Sequence, residues 1–277
     1  MINIDLHSHS NQSDGLLAPA EVAARARENG VDMWALSDHD ALSGLVQAAE
    51  SASRLGMRFI PGVEVSVTFC GATVHVLGLN IDASHPDLVR GLAAVRRSRF
   101  ARAREIADRL RECGLGECYE GALALAHNPD LVSRAHFARY LHEQGRARSI
   151  QHAFDRYLGE GRPAYAPVRW ASMGEAVGWI LAAGGKAVIA HPGRYRYTPL
   201  QFDALFEQFK ALGGCGIEVV SGAHTPRQYE EYARVAMHYG FEGSRGSDFH
   251  GPSRGRADLG TLPALPERLT PVWRDWI

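Results

Sequence analysis

The amino-acid sequence predicts an α/β fold built around a parallel sheet or a barrel. Short β-branched and apolar runs alternate with helical patterns along most of the 277 residues, which is typical of parallel sheets. One long stretch of helical patterns contains no strand and interrupts this alternation. Histidines and carboxylates follow several of the strand-like runs, and this is where barrels build their active sites.

Seven segments have the residue types of strands. They are residues 2–6, 31–36, 58–65, 73–79, 187–190, 217–220 and 241–244. Pro19 opens the first helical pattern at its N1 position, and Gly30 follows its end. Further helices of the alternating part are predicted at residues 41–55, 173–183, 199–212 and 226–239.

The stretch from about residue 99 to residue 167 contains helical patterns only. They cover residues 98–113, 120–126, 133–143 and 150–158. The chain is therefore expected to consist of the first part of a barrel at 1–98, a helical insertion domain at 99–167 and the second part of the barrel at 168–277.

Composition narrows the class of protein. Hydrophobic residues make up 45% and charged residues 22%, which is typical of a globular domain and excludes a disordered or fibrous chain. No apolar run approaches the ~20 residues of a membrane span, and the N-terminus lacks the features of a signal peptide. The four cysteines form no CxxC pair, which disfavours a zinc ribbon or a disulfide framework. We expect a cytoplasmic protein with no membrane association and no obligatory protein partner.

The charges are unevenly distributed, although the net charge is only -1. Fifteen arginines stand against nine acidic residues between Arg90 and Arg169, a local balance of +6. The remainder of the chain carries the compensating negative charge. This asymmetry indicates that one part of the molecule holds cations while the basic segment meets an anion.

Nine residues of types that bind metal ions lie at or near the ends of predicted strands. His7 and His9 form an HxH pair, and in an extended backbone alternate side chains point to the same side. Asp248 and His250 repeat this spacing. The nine residues are His7, His9, Asp14, His39, Glu64, His75, His191, Asp248 and His250.

Each of these residues alone has a simpler explanation. A single strand histidine such as His75 or His191 usually packs in the core, Asp14 fits turn chemistry before a glycine, and the neighbouring Asp38 could cap a helix. Glu64 is harder to explain, because burying an unpaired carboxylate is costly. The nine residues together favour a metal centre over nine separate structural roles.

Six histidines and three carboxylates without cysteine suit Mn, Fe or Zn. Nine side chains exceed the needs of one ion, so two or three divalent ions are expected, with Mn as the first choice. Glu64 is the predicted bridge between ions, because a carboxylate has two oxygens. Clustered ions can activate a water as hydroxide and neutralise the oxygens of a phosphoryl group.

This set of motifs resembles the PHP (polymerase and histidinol phosphatase) family of metal-dependent phosphoesterases. The resemblance covers residues 2–98 and about 170–260, and it implies a distorted (β/α)7 TIM-like barrel with a trinuclear metal site. One ion would bind His7, His9, Glu64 and Asp248; a second would share Glu64 with His75 and His191; the third would bind Asp14, His39 and His250. Some family members have histidine at the position of Asp14.

Residues 131–139 and 161–165 of the basic segment, together with 218–226, resemble the PHP branch that acts on nucleoside 3',5'-bisphosphates. Related members of that branch trim RNA or short oligonucleotides from the 5' end. The predicted function is therefore hydrolysis of the 3'-phosphate of such a bisphosphate, for example pAp to AMP and phosphate, by a metal-activated hydroxide. The expected partner is a small nucleotide with two phosphates, with short RNA as the alternative.

A substrate with two phosphates needs a second anion site, which arginine can provide. The predicted catalytic residues are Asp14, His191 and Asp248, and the donor of the leaving-group proton stays open between Asp14 and a water. The predicted substrate contacts are Ser133, Arg134, His136, Arg194 and His224. For each, a capping, packing or surface role is the alternative. Arg99, Arg102 and Arg104 are expected to form a solvated helix face.

Other classes of protein were weighed against this hypothesis. A histidinol-phosphatase-like phosphomonoesterase would gain little from a basic segment. An amidohydrolase-type barrel also begins with HxH, but neither Lys186 nor Lys210 is well placed to supply its bridging lysine. A non-catalytic metal module that binds nucleic acid would be expected to have lost ligands. Trimming of 5'-phosphorylated RNA is the nearest alternative, since the same 5'-phosphate grip would position the first internucleotide bond.

Overall fold

The computed structural model describes residues 2–126, 128–167, 170–253 and 255–277. Seven strands form one sheet in which spatial order follows chain order. They are β1 (Ile4–Asp5), β2 (Met33–Leu36), β3 (Arg58–Phe69), β4 (Ala72–Leu79), β5 (Lys186–Ile189), β6 (Gly216–Ser221) and β7 (Glu242–Gly246). Each overlaps one of the seven predicted strands, and the predicted α/β barrel-like fold is confirmed.

Helices lie in the connections between the strands. They are α1 (Pro19–Glu28), α2 (Leu45–Arg54), α3 (Pro86–Leu110), α4 (Tyr119–Ala124), α5 (Arg134–Glu143), α6 (Ile150–Ala153), α7 (Met173–Ala182), α8 (Pro199–Ala211) and α9 (Pro226–Tyr239). α6 continues as a wider helical turn over Phe154–Leu158. Among the helices in these described ranges, none is both long and apolar enough to cross a membrane.

The first and last strands meet and nearly close the sheet into a barrel. The Leu6 amide donates to the Arg245 carbonyl at 3.0 Å. Beyond the strand ends the contact continues, since the Asp248 amide donates to the His7 carbonyl at 2.9 Å. The segments that carry the HxH and DxH motifs are therefore neighbours, although about 240 residues separate them in sequence.

Strand β4 corrects the expectation of a parallel sheet. It pairs antiparallel with both β3 and β5, whereas the other neighbouring strands pair in parallel. The turn Cys70-Gly71 joins β3 to β4, and both residues have positive φ angles of 47° and 77°. Such a two-residue turn makes a hairpin, whereas a parallel connection needs a dozen or more residues. His75 therefore lies within β4 and Glu64 within the long β3, not at the ends of parallel strands.

Two helices begin at other residues than predicted. α2 begins at Leu45 instead of residue 41, because the chain first turns through Asp40, whose φ is 50°. α3 begins at Pro86 instead of residue 98, with proline in its first turn and Asp87 beside its positive end. α3 consequently runs from the barrel into the predicted insertion domain.

The helical segment has a hydrophobic cluster of its own. Its buried residues run from Ala103 in α3 to Ala166, and Phe137 and Leu141 of α5 are fully buried within it. The predicted boundary at residues 98 and 99 falls inside α3, and residue 168 lies outside the described residues. The division into three parts stays a prediction.

Candidate metal centre and substrate cleft

Glu64 is surrounded by imidazoles at the mouth of the barrel. Its side chain is fully buried. Five ring nitrogens lie between 2.9 and 3.4 Å from its carboxylate oxygens, those of His7, His9, His39, His75 and His191. These five histidines come from four separate segments of the chain, so the barrel brings together what the sequence keeps apart.

All nine predicted ligand residues lie in this one cluster. Four overlapping groups of side chains could each hold a metal ion, with donor atoms within 4.8 Å of one another. They are His9, Asp14, His39 and His250; His7, His191 and Asp248; His7, His9 and Glu64; and His39, Glu64 and His75. This grouping differs from the expected one at two residues. His39 lies 2.9 Å from Glu64 as well as near Asp14. His9 belongs both to the group of Asp14 and to the group of Glu64.

The proton positions at His7 fit a cation between these side chains. Its Nδ1 lies 3.0 Å from a Glu218 oxygen and donates to it, which leaves Nε2 to face the cluster. That Nε2 lies 3.1 Å from Nε2 of His9 and 3.4 Å from oxygens of Glu64 and Asp248. These four atoms converge on one point, which is the arrangement of ligands around a metal ion.

Buried carboxylate oxygens give a second test of the fit. Asp14 Oδ1, Glu64 Oε2 and Asp248 Oδ1 have no hydrogen-bond partner among the described residues. The short contact between Glu64 Oε2 and His39 Nδ1, at 2.9 Å, lacks hydrogen-bond geometry. Buried carboxylates without donors are costly, and divalent cations would satisfy all three.

Glu218 orients two of the histidines, and sequence reasoning missed it. One of its oxygens faces Nδ1 of His7, and the other accepts the His191 amide at 2.6 Å. His191 has an unusual φ of 28°, and Asp248 has a φ of 54°. Backbone strain of this kind persists where the surroundings hold it in place, and it is common at functional sites.

Protein groups alone keep two of the imidazoles neutral. Burial lowers the pKa of His9 to about 3, and the charge of His250 acts in the same direction. Burial also lowers the pKa of His191 to about 3, helped by Arg194. Neutral imidazole is the form that binds metal ions, so these two side chains are ready as ligands at neutral pH.

Asp14 and His250 form an ion pair at the edge of the cluster, with 3.2 Å between Oδ1 and Nε2. Burial lowers the pKa of His250, but Asp14 and Asp248 outweigh it and raise that pKa to about 9. Burial raises the pKa of Asp14, but His250 and His39 hold it well below its usual value. Asp14 is therefore a carboxylate, which suits a ligand better than a proton donor.

The loop that carries Asp14 is held from two sides. Asp38 accepts hydrogen bonds from the Ser10 amide at 2.8 Å and from the Ser13 hydroxyl at 2.5 Å, so it orders the loop and does not cap a helix. From the helical segment, Arg139 donates to the Asp14 carbonyl at 2.5 Å. Both contacts fix the position of the Asp14 carboxylate.

A cleft of about 190 Å³ extends from this cluster toward the helical segment. Asp14, His39, His75 and His250 line one end. The other lining residues include Ser66, Arg99, Arg102, Ser133, Arg134, Ala135, Phe154, Trp170 and Arg194. Three of the five predicted substrate contacts, Ser133, Arg134 and Arg194, thus face this cleft.

Arginines and aromatic rings alternate along the wall of the cleft. Arg99 lies over Trp170 at 4.7 Å, and Arg102 lies between Trp170 and Tyr165 at 5.3 and 5.8 Å. Arg134 follows, at 5.6 Å from Tyr165 and 5.9 Å from the next ring. The expectation that Arg99 and Arg102 are solvated is wrong, because the rings of residues 165 and 170, far away in sequence, cover this face of α3.

Most of this wall carries uncompensated positive charge. Arg99 pairs with a carboxylate, whereas no acidic group of the described residues lies within salt-bridge distance of Arg102 or Arg134. Burial, together with the charges of Arg134 and Arg99, lowers the pKa of Arg102 to about 9. Burial lowers the pKa of Arg134 as well. An anion bound between them would relieve this repulsion.

Two predicted substrate contacts have other roles in the structure. Both ring nitrogens of His224 bind backbone groups, since Nδ1 lies 3.1 Å from the Val219 carbonyl and Nε2 accepts the Gly193 amide at 3.0 Å. His224 thus holds the loop after His191, and its substrate contact stays a prediction. The described lining of the cleft does not include His136, whose Nδ1 accepts the Ser133 amide at 3.0 Å and so caps α5.

The two lysines lie away from the cluster, as their sequence positions predict. Lys186 pairs with Glu242 at 2.8 Å, and Lys210 binds the Tyr239 carbonyl. Neither can bridge metal ions as the lysine of an amidohydrolase-type barrel does.

Comparison with known proteins matches this geometry. The family model of the PHP domain matches residues 5–163. A 3',5'-nucleoside bisphosphate phosphatase from Chromobacterium violaceum is 45% identical over 99% of this chain and 96% of its own length. A 5'-3' exoribonuclease from Haemophilus influenzae is 42% identical over 97% of both chains.

Solved structures have the same fold. One from Chromobacterium violaceum, described as an amidohydrolase with bound sulfate and no metal, is 44% identical with a TM-score of 0.95 and covers 99% of this chain and 95% of its own. Another from Bifidobacterium adolescentis, described as a metal-dependent phosphoesterase, is 26% identical with a TM-score of 0.83 and covers 98% and 93%.

Proposed function

Because this chain belongs to the PHP domain family, we propose that it is a metal-dependent phosphoesterase that removes the 3'-phosphate from nucleoside 3',5'-bisphosphates. That the chain is a phosphoric ester hydrolase follows from its family and its relatives. The bisphosphate substrate is proposed from the phosphatase of Chromobacterium violaceum, which is similar along nearly its entire length.

The observation that carries this proposal is a single cleft with two kinds of anion site. At one end lie the side chains that could hold metal ions, and at the other lie Arg102 and Arg134 without carboxylate partners. A nucleoside 3',5'-bisphosphate has a phosphate at each side of its ribose. Its two phosphates are therefore proposed to bind at the two ends of the cleft.

The proposed metal ligands are those predicted from the sequence: His7, His9, Asp14, His39, Glu64, His75, His191, Asp248 and His250. Glu64 is proposed as a bridge because its two oxygens face different imidazoles, His191 on one side and His39 on the other. We propose two or three divalent ions, with Mn as the first choice and Fe or Zn as alternatives.

When bound, such ions supply an activated water and offset the negative charge that develops on the phosphoryl oxygens. The chain itself orients the reacting groups. Asp248 is held by its strained backbone and by Arg194, whose guanidinium lies 3.0 Å from Oδ2. His191 is held through its amide by Glu218. Asp14, His191 and Asp248 are proposed as catalytic residues that act as metal ligands beside the reacting phosphate. The low pKa of Asp14 argues against its use as the donor of the leaving-group proton.

The distal phosphate is proposed to bind at the start of α5. Ser133 caps this helix, and the Ala135 amide donates to its hydroxyl at 3.2 Å. The positive end of a helix dipole favours a phosphate, and the guanidinium of Arg134 can donate two hydrogen bonds to it. Arg102 adds a second charge from the facing helix α3.

A second candidate function is 5'-3' trimming of 5'-phosphorylated RNA. The observation in its favour is the 42% identity to the exoribonuclease of Haemophilus influenzae. The same distal site would then bind the 5'-phosphate of the RNA, and the bond hydrolysed would be the first internucleotide bond.

Turnover of a substrate panel in Mn²⁺ buffer tests the proposal. The panel comprises adenosine 3',5'-bisphosphate, 3'-AMP, a 5'-phosphorylated dinucleotide and histidinol phosphate. We expect release of inorganic phosphate from the bisphosphate with the highest kcat/KM. Faster release of mononucleotide from the dinucleotide would favour the exoribonuclease, and preference for histidinol phosphate would reject both.

A substitution in the distal site tests the role of the second phosphate. Arg134→Ala should raise KM for the bisphosphate far more than KM for 3'-AMP, which lacks the 5'-phosphate. Equal effects on the two substrates would exclude a phosphate contact at Arg134.

A further inference from the structure

Asp40 joins the metal cluster to helix α3 at one buried point. It directly follows His39, its amide donates to the Glu64 carbonyl at 2.9 Å, and its side chain is fully buried. One carboxylate oxygen accepts the Ser66 amide at 2.8 Å, and the other accepts the Ser66 hydroxyl at 2.9 Å. Ser66 lies two residues after Glu64 on β3, so Asp40 is fixed to the strand that carries the central carboxylate.

Two arginines of α3 bind this same residue. Arg99, only 8% exposed, donates from Nε to the Asp40 carboxylate at 2.7 Å and again from Nη2. Its Nη2 also donates to the Ser66 hydroxyl at 2.8 Å. Arg96, one turn earlier, donates to the Asp40 carbonyl at 2.8 Å. Both contacts lie on one face of α3, because residues three apart on a helix are neighbours.

The next arginine along this face lies in the wall of the cleft. Arg102 follows Arg99 by three residues and lines the cleft. Trp170 lies against both guanidiniums, at 4.7 Å from Arg99 and 5.3 Å from Arg102. The position of Arg102 relative to the metal cluster therefore depends on the contact between Arg99 and Asp40.

We propose that Arg99 is a positioning residue that sets the distance between the metal centre and the distal phosphate site, and so makes the enzyme selective for substrates with two phosphates. This inference rests on the proposed function. The guanidinium of Arg99 is hydrogen-bonded to Asp40 and Ser66, so Arg99 acts on the substrate through Arg102 and Trp170. A planar guanidinium is required because it reaches the carboxylate and the serine hydroxyl together, and lysine cannot do so.

The proposal predicts a specific kinetic pattern for Arg99→Lys in the Mn²⁺-loaded enzyme. KM for adenosine 3',5'-bisphosphate should rise about ten- to hundredfold, because small displacements of a positioning group have effects of this size. The kcat/KM for 3'-AMP, which needs the metal centre alone, should change less than about threefold. Metal content per chain, measured by mass spectrometry of the elements, should equal that of the unmodified protein.

A matched control and a second variant accompany this test. Arg109→Gln removes an arginine of the same helix that pairs with Glu105, one turn earlier, and it should change neither KM. Arg99→Gln combined with Asp40→Asn removes both buried charges, which avoids an unpaired carboxylate. This double variant should fold and still show the raised KM for the bisphosphate.

Several results would overturn the proposal. An equal loss of kcat/KM for the bisphosphate and for 3'-AMP in Arg99→Lys would show that Arg99 has only a structural role. A lower metal content of this variant would show the same. An unchanged KM for the bisphosphate in both variants would show that Arg99 has no role in substrate specificity. If the unmodified protein does not prefer the bisphosphate over 3'-AMP, the proposed function itself fails, and this is visible before any variant is made.

Discussion

The carboxylate of Glu218 lies 3.0 Å from Nδ1 of His7, and both side chains are fully buried. This contact decides which nitrogen of His7 faces the cluster. Burial lowers the pKa of His7, but Glu218 and Glu64 outweigh it and raise that pKa well above its usual value. The pair has the arrangement of a carboxylate that orients a metal-binding histidine from outside the site.

Glu218→Gln should therefore weaken metal binding without removing any proposed ligand. The single side-chain oxygen of glutamine can replace the oxygen that faces His7 or the one that accepts the His191 amide. The NH2 group then takes the place of the other oxygen, and it is a donor. Loss of such a supporting carboxylate lowers metal affinity about 10- to 100-fold. Titration with a chelating competitor gives the dissociation constant. Glu175→Gln, at the exposed start of α7, is the control, and equal affinities for all three proteins would contradict the assignment.

The buried arginine wall leads to a prediction about stability. Arg102→Met should raise the free energy of unfolding by about 1 kcal/mol, as removal of a functional but destabilising group commonly does. The reason is that burial and two neighbouring arginines disfavour its charge, as its lowered pKa indicates. The lost contacts are one hydrogen bond to the Ala166 carbonyl, at 2.9 Å, and the stacking on two rings.

The same variant should lose activity toward the bisphosphate. Urea unfolding and kcat/KM, measured on one preparation, give both values. Arg97→Met, on the exposed side of α3, should leave both nearly unchanged. A destabilised Arg102→Met protein would show that the hydrogen bond and the rings outweigh the charge repulsion.

The sequence was sufficient to predict the barrel strands and the clustering of the nine ligand-type residues. HxH and DxH spacing is a local signal, and barrel topology brings strand ends together whatever the details of packing. The antiparallel β4 also had a signal: only a few residues separate it from β3, which is too short for a crossover. The alternation of strands and helices outweighed that signal in the prediction.

Glu218 and Arg99 could not be identified in this way. Glu218 lies between Ile217 and Val219 in a buried strand, and nothing local distinguishes an orienting carboxylate from one that faces a partner elsewhere. Arg99 lies in a helix with many arginines, and only Asp40 and Trp170, distant in sequence, make its position buried. Roles that depend on such long-range contacts require the fold to be known.

Removal of metal should destabilise the protein, because buried oxygens of Asp14, Glu64 and Asp248 then lose the proposed cations that satisfy them. We expect a chelator to lower the unfolding temperature and Mn²⁺ to restore it. Binding at 100 times the dissociation constant contributes about 2.7 kcal/mol. Glu64→Gln should abolish most of this response, since its carboxylate faces five of the imidazoles. An unfolding temperature that is indifferent to chelator and Mn²⁺ would contradict a metal centre at this position.

The stability of the chelated protein should fall as pH rises from about 6.5 to 9. His250 has a pKa of about 9 in the fold and about 6.5 when unfolded. A base whose pKa is raised by folding contributes stability that is complete below the unfolded value and is lost as pH passes the folded value. The loss from this residue is on the order of 2 kcal/mol, and the raised pKa values of His7 and His39 act in the same direction.

Metal binding should have the opposite pH dependence, because ions compete with protons for the imidazoles. The stabilisation that Mn²⁺ adds should thus grow across the same interval. Urea unfolding at several pH values, with and without Mn²⁺, measures both trends. In His250→Gln the decline of the chelated protein should be smaller, since its ion pair with Asp14 is gone. A chelated protein whose stability is constant or rises between pH 6.5 and 9 would show that Asp14 does not hold the proton on His250.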